Sequence, residues 1–398
     1  DKVYPRHTGQ AHRNQQPRQA TEDDGDVHDR DEGGARELIV RHRVGAVVEK
    51  GIAQHEQQDE SKRQPCRPLG LPARKEAAPF PPEFEEEDAH RRDFTCNALY
   101  KDCATGEIID YHNGREDIKN RILRHVSEQF SEDPLRVLRM CRFAATLDFA
   151  VAPETLALCQ NMVKSGALKC LSKDRIWQEF AKALSSKTFY RFIETARACG
   201  ALNEILPEVE ELFSVPERED YHPEKNSGAH TLLTLKAAQS DDSLINYAAL
   251  LHDIGKTKTD TACWPSHRGH DKLGVDVIKE IGKRLRAPKA YTDFAAFTAL
   301  HHMVYHQKPY NARYKIADIA VNFAYNGKKD YLEKFIAVLR ADMHGRAKEV
   351  PPSEERNFNS FCAYLTKLHQ CAEKKRYSEL PEFAEIIEGI KAGTVSPA

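Results

Sequence analysis

The stretch Leu244-Ile245-Asn246-Tyr247-Ala248-Ala249-Leu250-Leu251-His252-Asp253-Ile254-Gly255-Lys256 decides how most of this chain is read. Its first eight residues are apolar apart from Asn246, which marks a buried helix rather than a surface one. A histidine and an aspartate set side by side at its end are therefore delivered into the core. An unpaired carboxylate there is costly unless a partner or a metal relieves it. Ile254-Gly255-Lys256 breaks the helix and leaves a cation nearby that suits a phosphate. Taken alone, such a His-Asp pair is more often a satisfied core histidine beside a helix-end salt bridge. Two further positions reverse that preference: His230 upstream, and Asp342 within Arg340-Ala341-Asp342-Met343-His344. Imidazole and carboxylate are the usual ligands of catalytic divalent metals. His267, His270, His301 and His302 fall in the same region, where each taken singly fits a packing or surface role at least as well.

Outward from this stretch, the 398 residues hold 59 Lys plus Arg against 61 Asp plus Glu, a formal charge of −2. That size predicts several domains, and that charge argues against a strongly basic nucleic-acid coat while leaving room for local basic stripes. The longest apolar runs, Tyr247–Leu251 and Phe335–Leu339, fall far short of the roughly 20 residues that span a bilayer. The scattered cysteines and the lack of an apolar leader in Asp1–Gln10 predict a reduced, cytoplasmic protein with no membrane partner. Residues 1–80 are Gln-rich and follow neither strand nor helix period, which predicts disorder. Short strands are predicted around Gly106 between Asp93 and Asp110, with a second turn at Asn113-Gly114. Past Ser131 the chain reads as helix. Ser131 is the predicted N-cap, with Glu132, Asp133 and Pro134 in the first turn and Leu135, Leu138, Met140, Phe143, Ala144 and Leu147 at helical spacings. More helices follow from about Pro153 to Glu211, then a polar loop, Pro216 to Ser227, that reads as a boundary; the chain after Glu349 reads as polar and peripheral. The expected fold is α+β, a small nucleotidyltransferase-type head in front of a mostly helical body. Its expected divisions are an atypical segment 1–83, the rest of the head 84–130, a helical neck and body 131–225, an all-α metal-binding domain 226–345 and a helical tail 346–398.

Two segments carry a resemblance: Arg91-Arg92-Asp93-Phe94-Thr95-Cys96-Asn97-Ala98-Leu99 and Glu132-Asp133-Pro134-Leu135-Arg136-Val137-Leu138-Arg139. They resemble signature motifs of the class II tRNA nucleotidyltransferases, the CCA-adding enzymes, and their poly(A) polymerase relatives. The pattern His230, His252, Asp253, Asp342 resembles the HD superfamily of metal-dependent phosphohydrolases. The order of these parts over about residues 84–350, with Trp264-Pro265-Ser266-His267 and Lys283-Arg284-Leu285-Arg286-Ala287-Pro288, is similar to the bacterial CCA-adding enzymes that carry an HD domain. Asp133 and Arg136, three residues apart, can offer an acceptor and a forked donor from one helix face. The resemblance makes that pair a protein template for cytosine and adenine. It also places Arg92 and Asp93 at the triphosphate and ribose, Asn97 in the nucleotide site, and Arg139 and Arg142 at phosphates. Helical spacing turns Arg142 about 180° from Asp133, so its role rests on resemblance alone. A solvated Arg-rich face is the plainer account of these arginines.

The resemblance implies addition of CCA to tRNA from CTP and ATP with Mg²⁺. It also implies an HD phosphohydrolase, of phosphatase, 2′,3′-cyclic phosphodiesterase or 2′-nucleotidase type, using Ni²⁺, Mn²⁺ or Co²⁺ bound by His230, His252, Asp253 and Asp342, and it admits a homodimer. One expected part is missing. The family places a Gly-Gly motif before an Asp-x-Asp pair that holds Mg²⁺. Here Asp29-Arg30-Asp31 and Gly33-Gly34-Ala35-Arg36 come in the reverse order, so the transferase carboxylates are not identified. Lys2-Val3-Tyr4 resembles the family's first strand, and a compensated reading-frame disturbance between about residues 5 and 82 accounts for both observations. The alternatives are a chain with HD phosphohydrolase activity only, or a non-catalytic tRNA-binding remnant.

Overall fold

The computed structural model describes residues 82–102, 105–220, 222–306, 309–325 and 330–376. The readings of Lys2-Val3-Tyr4, Asp29-Arg30-Asp31 and Gly33-Gly34 lie outside them. After α1 (Pro82–His90), β1 (Leu99–Lys101) pairs antiparallel with β2 (Ile108–Asp110) in the register Tyr100↔Ile109. Gly106 turns the hairpin at φ 76°, as the sequence predicts. Asn113-Gly114 leads into a short helix, α2 (Gly114–Lys119), whose glycine is required by contact: a Cβ there would lie 2.2 Å from the Thr95 carbonyl oxygen. β3 (Ile122–Leu123) and β4 (Ala150–Val151) pair in parallel, and α3 (Leu135–Leu147) is the crossover between them.

α3 buries Val137, Leu138, Met140, Cys141, Ala144 and Ala145, close to the predicted stripe. Its start differs from prediction. Ser131 lies in a 3₁₀ turn, Glu128–Glu132, where its hydroxyl donates to the Glu128 carbonyl at 2.8 Å. The carboxylate that caps α3 is Asp133, accepting the Leu135 N–H at 3.0 Å. A Ser-Glu-Asp-Pro run offers two capping registers, and Pro134, which lacks an N–H, settles the helix on the later one.

The body continues through α4 (Pro153–Lys164), α5 (Lys173–Leu184), α6 (Tyr190–Ala198), α7 (Ala201–Ile205) and α8 (Pro207–Glu211). α3 packs on α5 and α6. Trp177 of α5 meets Tyr247 and Tyr291 edge-on, which joins the body to the next group of helices. These are α9 (Ser227–Ala238), α10 (Ser243–Leu251), α11 (His270–Leu285), α12 (Lys289–His301), α13 (Pro309–Tyr325) and α14 (Tyr331–His344). The turn after α10 packs against α11 so closely that a Cβ on Gly255 would lie 2.0 Å from the His270 carbonyl oxygen. The region after Glu349 is not peripheral. α15 (Pro352–Glu373) packs on α13 and buries Phe358, Leu365 and Leu368. Among the described residues no helix is long and apolar enough to cross a membrane.

Candidate functional site

The Asp242 carboxylate caps α10 by accepting the N–H of Leu244 and of Ile245. The helix is apolar on all sides, so its end lies inside the protein, and His252 and Asp253 are 1% and 3% exposed. His230 comes from α9, Asp342 from α14, His270 from the start of α11 and His302 from just past α12. His230 Nε2 lies 2.9 Å from Asp342 Oδ1 and 3.8 Å from Asp253 Oδ2. His252 Nε2 lies 3.3 Å from Asp253 Oδ2 and 3.6 Å from Asp342 Oδ1. On the other side of Asp253, His270 Nε2 and His302 Nε2 each lie 3.3 Å from Oδ1 and 3.1 Å from one another. The four predicted ligands thus converge, and two of the four further histidines join them.

The hydrogen bonds around this cluster decide what it can bind. Each imidazole donates Nδ1–H to a backbone carbonyl: His230 to Gly345, His252 to Ala249, His270 to His267 and His302 to Ala299. A carbonyl only accepts, so the proton of the neutral ring is on Nδ1 and Nε2 presents a lone pair inward. Lone pairs therefore face carboxylate oxygens and, between His270 and His302, each other. His252 Nε2 and Asp253 Oδ1 are buried with no hydrogen-bond partner. Acceptors converging on acceptors fit a divalent cation, whose ligand bonds of about 2.1 Å put neighbouring donors about 3.0–3.5 Å apart. The residues present fit the group.

With no cation bound, the carboxylates favour the protonated rings over the neutral ones, so a metal would displace protons from the inward nitrogens. Burial would lower His230 and His252, but for His230 the bonds to Asp342 and Glu224, and for His252 the charge of Asp253, outweigh it; His252 is pushed up to about 10. Burial would raise Asp253, but Lys256 and His252 hold it well below the carboxylate range, as His230 and His252 hold Asp342. The cluster attracts positive charge, as protons or as a metal.

The reading of one neighbouring residue, Lys256, changes, and two further histidines stay outside the cluster in packing roles. Lys256 is not an open phosphate cation: it is buried, with Nζ 2.7 Å from Asp253 and 2.6 Å from Glu217. His267 bonds Thr259 and the Pro216 carbonyl. His301 lies against Phe297, its pKa lowered to about 4 by burial and by Lys315. The sequence reading missed Glu217, His222 and Glu224, which sit in the stretch read as a polar loop. Glu224 accepts from His230 and His222, and these bonds with its backbone contacts overcome burial and bring it down to about 2. Adjacency to the first ligand is the one signal that pointed to them.

The nucleotide residues gather where the Arg91–Leu99 segment meets α3. Phe94 packs edge-on against Phe130 and Phe143. Asp93, 5% exposed, accepts the Phe94 N–H and Asn97 Nδ2 on one oxygen and Arg139 Nε and Nη2, at 2.6 and 2.5 Å, on the other. Arg92 pairs with Asp88 beside the Tyr100 ring. Arg136 donates to the carbonyls of Gln129 and Arg91, while Asp133 pairs with Arg175 of α5 at 3.1 Å, so the two template candidates have separate partners. Arg142 lies farther along α3, stacked on Phe143 and paired with buried Glu179 at 2.5 Å.

Residues 40–124 match the family model for the poly(A) polymerase head domain, reaching well upstream of residue 84. Residues 148–213 match the model described as a probable RNA and SrmB-binding site of polymerase A, and residues 188–338 match the HD domain. A multifunctional CCA protein of Neisseria meningitidis serogroup B is 50% identical over 224 residues, 56% of this chain and 54% of that one. One of Alkalilimnicola ehrlichii is 41% identical over 266 residues, 66% of this chain and 64% of that one. The chain thus spans about half the length of the first of these relatives. The Bacillus stearothermophilus CCA-adding enzyme in complex with CTP superposes with a TM-score of 0.49 at 20% identity, over 79% of this chain and 71% of that one.

Proposed function

We propose, on the premise that the chain is a relative of the multifunctional CCA proteins through its head, RNA-binding and HD segments, that it acts on tRNA 3′ ends with two separate sites. One site selects CTP and ATP for CCA addition, with Mg²⁺ as its cofactor. Asp133 and Arg136 read the base edge, Arg92 meets the triphosphate, and the Asp93–Arg139 clasp with Asn97 holds the ribose side in register. Arg142, tied to Glu179, serves a phosphate only after changing partners. The other site hydrolyses phosphate esters of the phosphatase, 2′,3′-cyclic phosphodiester or 2′-nucleotide type. His230, His252, Asp253 and Asp342 would hold its metal, of the Ni²⁺, Mn²⁺ or Co²⁺ type. When bound, such an ion supplies a Lewis acid and a water of lowered pKa. The chain's own residues bind and orient, and His270 and His302 add donors on the far side of Asp253.

One observation carries the hydrolytic half: His252 Nε2 and Asp253 Oδ1 are buried without a hydrogen-bond partner amid converging acceptors. Metal-stripped protein is expected to release no phosphate from 2′,3′-cyclic AMP and to recover on adding Mn²⁺, Ni²⁺ or Co²⁺. Equal release with and without metal would sink the reading. A second reading, hydrolysis without nucleotide addition, is favoured by the reversed order of Asp29-Arg30-Asp31 and Gly33-Gly34. Transfer of CMP to tRNA lacking its CCA end separates the two. Little or no incorporation is expected from this chain, and recovery is expected when a family-type N-terminal segment replaces residues 1–83.

A further inference from the structure

Two acids outside the HD ligand pattern, Glu217 and Glu224, lie between Pro216 and Asn226, which pair across an antiparallel bridge. Their side chains are 4% and 3% exposed, and carboxylates that deep require partners. Glu224 Oε1 accepts Nδ1–H of His230 at 3.0 Å, and Oε2 accepts the Ala347 N–H at 3.2 Å. One carboxylate thereby ties the helix of the first ligand to the chain just past Asp342. Gly345, whose carbonyl shares the same His230 Nδ1–H, is pressed against Thr234 of α9, so the two helices cannot drift apart there. Glu217 Oε1 accepts from Ser227 Oγ and from the Lys256 ammonium, each at 2.6 Å. That ammonium in turn reaches Asp253 Oδ2 at 2.7 Å. Holding Oδ2 fixes the rotation of the carboxylate and directs Oδ1, the orphaned atom, at His270 and His302.

We propose that Glu224 and Glu217 are positioning residues of the metal centre: Glu224 sets the ring of His230 directly, and Glu217 sets Asp253 through Lys256. The inference rests on reading the cluster as a metal site. A carboxylate on the outer nitrogen of a liganding imidazole fixes its tautomer and orientation and makes the inner nitrogen more basic. For Glu224 the requirement is reach to Nδ1. For Glu217 it is an anchor without which the Lys256 stem, several rotatable bonds long, leaves Asp253 free to turn.

Calorimetric titration of the full, metal-stripped chain with Mn²⁺ tests this, with circular dichroism and the metal-free Tm as controls for folding. Glu224→Gln keeps the reach and loses the charge; Glu224→Asp keeps the charge and withdraws the oxygens by one methylene. Gln is expected to stay within about threefold of wild-type affinity, whereas Asp and Ala weaken Mn²⁺ binding about 10- to 100-fold. Glu217→Ala is expected to weaken it by a similar factor, with Glu217→Gln between it and the wild type. The opposite order at position 224, Asp near wild type and Gln weak, would overturn the positioning role in favour of bulk charge. Unchanged affinity in folded Glu224→Ala and Glu217→Ala would overturn it outright. If the wild type itself takes up no Mn²⁺, the metal reading fails first, and a different result identifies that failure.

Discussion

In the HD cluster acceptors face acceptors, whereas around α3 every candidate nucleotide residue already has a partner of opposite charge or a carbonyl. Asp93 holds Arg139, Asp133 holds Arg175, Arg142 holds Glu179 and Arg92 holds Asp88. The first region is organised for a cation that supplies the missing charge. On the proposed function, the second would have to exchange partners to meet a nucleotide. The cost of exchange follows burial: Asp133 and Arg175 are 39% and 48% exposed, Glu179 and Arg142 only 4% and 13%. Exposed pairs part readily, while a buried pair that loses one member leaves a charge stranded.

The largest effect is expected in the cluster. His252→Ala or Asp253→Asn should reduce metal uptake and metal-dependent phosphate release to background while leaving CTP binding unchanged, because the two regions share no side chain. Metal content and nucleotide titration on the same preparation check this. Parallel loss of both in folded protein would erase the distinction between the regions.

Next comes the buried pair. Glu179→Ala should destabilise the fold by about 3–5 kcal/mol, since it strands Arg142 within the body. Burial would raise the Glu179 carboxyl, but Arg142 and Lys182 outweigh it and hold it below its ordinary 4.5. A folded-state pKa lowered in this way contributes stability that is present above the unfolded value and lost as pH falls through the folded one. Denaturant unfolding between pH 7 and 3 should thus show a shallower acid loss in Glu179→Gln than in the wild type. A Glu179→Ala variant as stable as the wild type would make Arg142 a free phosphate contact, as the sequence resemblance has it.

What was legible followed from distance along the chain. His252 and Asp253 stand out because they end an apolar helix, and α3 because its stripe is continuous. Glu224 stands only six residues ahead of His230, but nothing in its polar loop shows that the chain turns back to put its carboxylate on that ring, beside the carbonyl of Gly345, 115 residues away. Lys256 reads as a free cation in sequence because nothing local announces that Glu217, 39 residues upstream, closes on it. α15 was expected as a helical tail, but its polar first turns, with Glu354, Glu355, Arg356, Asn357 and Asn359, masked that it packs into the core. The spacing of Phe358, Phe361, Leu365, Leu368 and Ala372 sets one apolar stripe along it, which is the face that buries against α13.

A smaller effect is expected for the template pair, in protein given a family-type N-terminal segment. Asp133→Ala and Arg136→Ala should each cost roughly 1–3 kcal/mol of discrimination of CTP and ATP against UTP and GTP. Selectivity ratios from competition assays give the number directly. Full selectivity in both variants would remove these residues from base recognition.

The smallest effect concerns what holds Asp133 before a nucleotide arrives. Arg175 donates to both of its oxygens, at 3.2 and 3.1 Å, from the first turn of α5, and both side chains are open to water. Screening by solvent keeps such a pair to about 0–1 kcal/mol, so Arg175→Ala should barely move the Tm. If Asp133 reads the base edge, its oxygens must turn from Arg175 to the incoming base. Removing Arg175 should then leave CTP binding equal or slightly tighter, and Asp133→Ala should weaken it. CTP titrations of the two variants decide the matter: weaker binding in Arg175→Ala to the same degree as in Asp133→Ala would mean that the ion pair itself, rather than the freed carboxylate, meets the nucleotide.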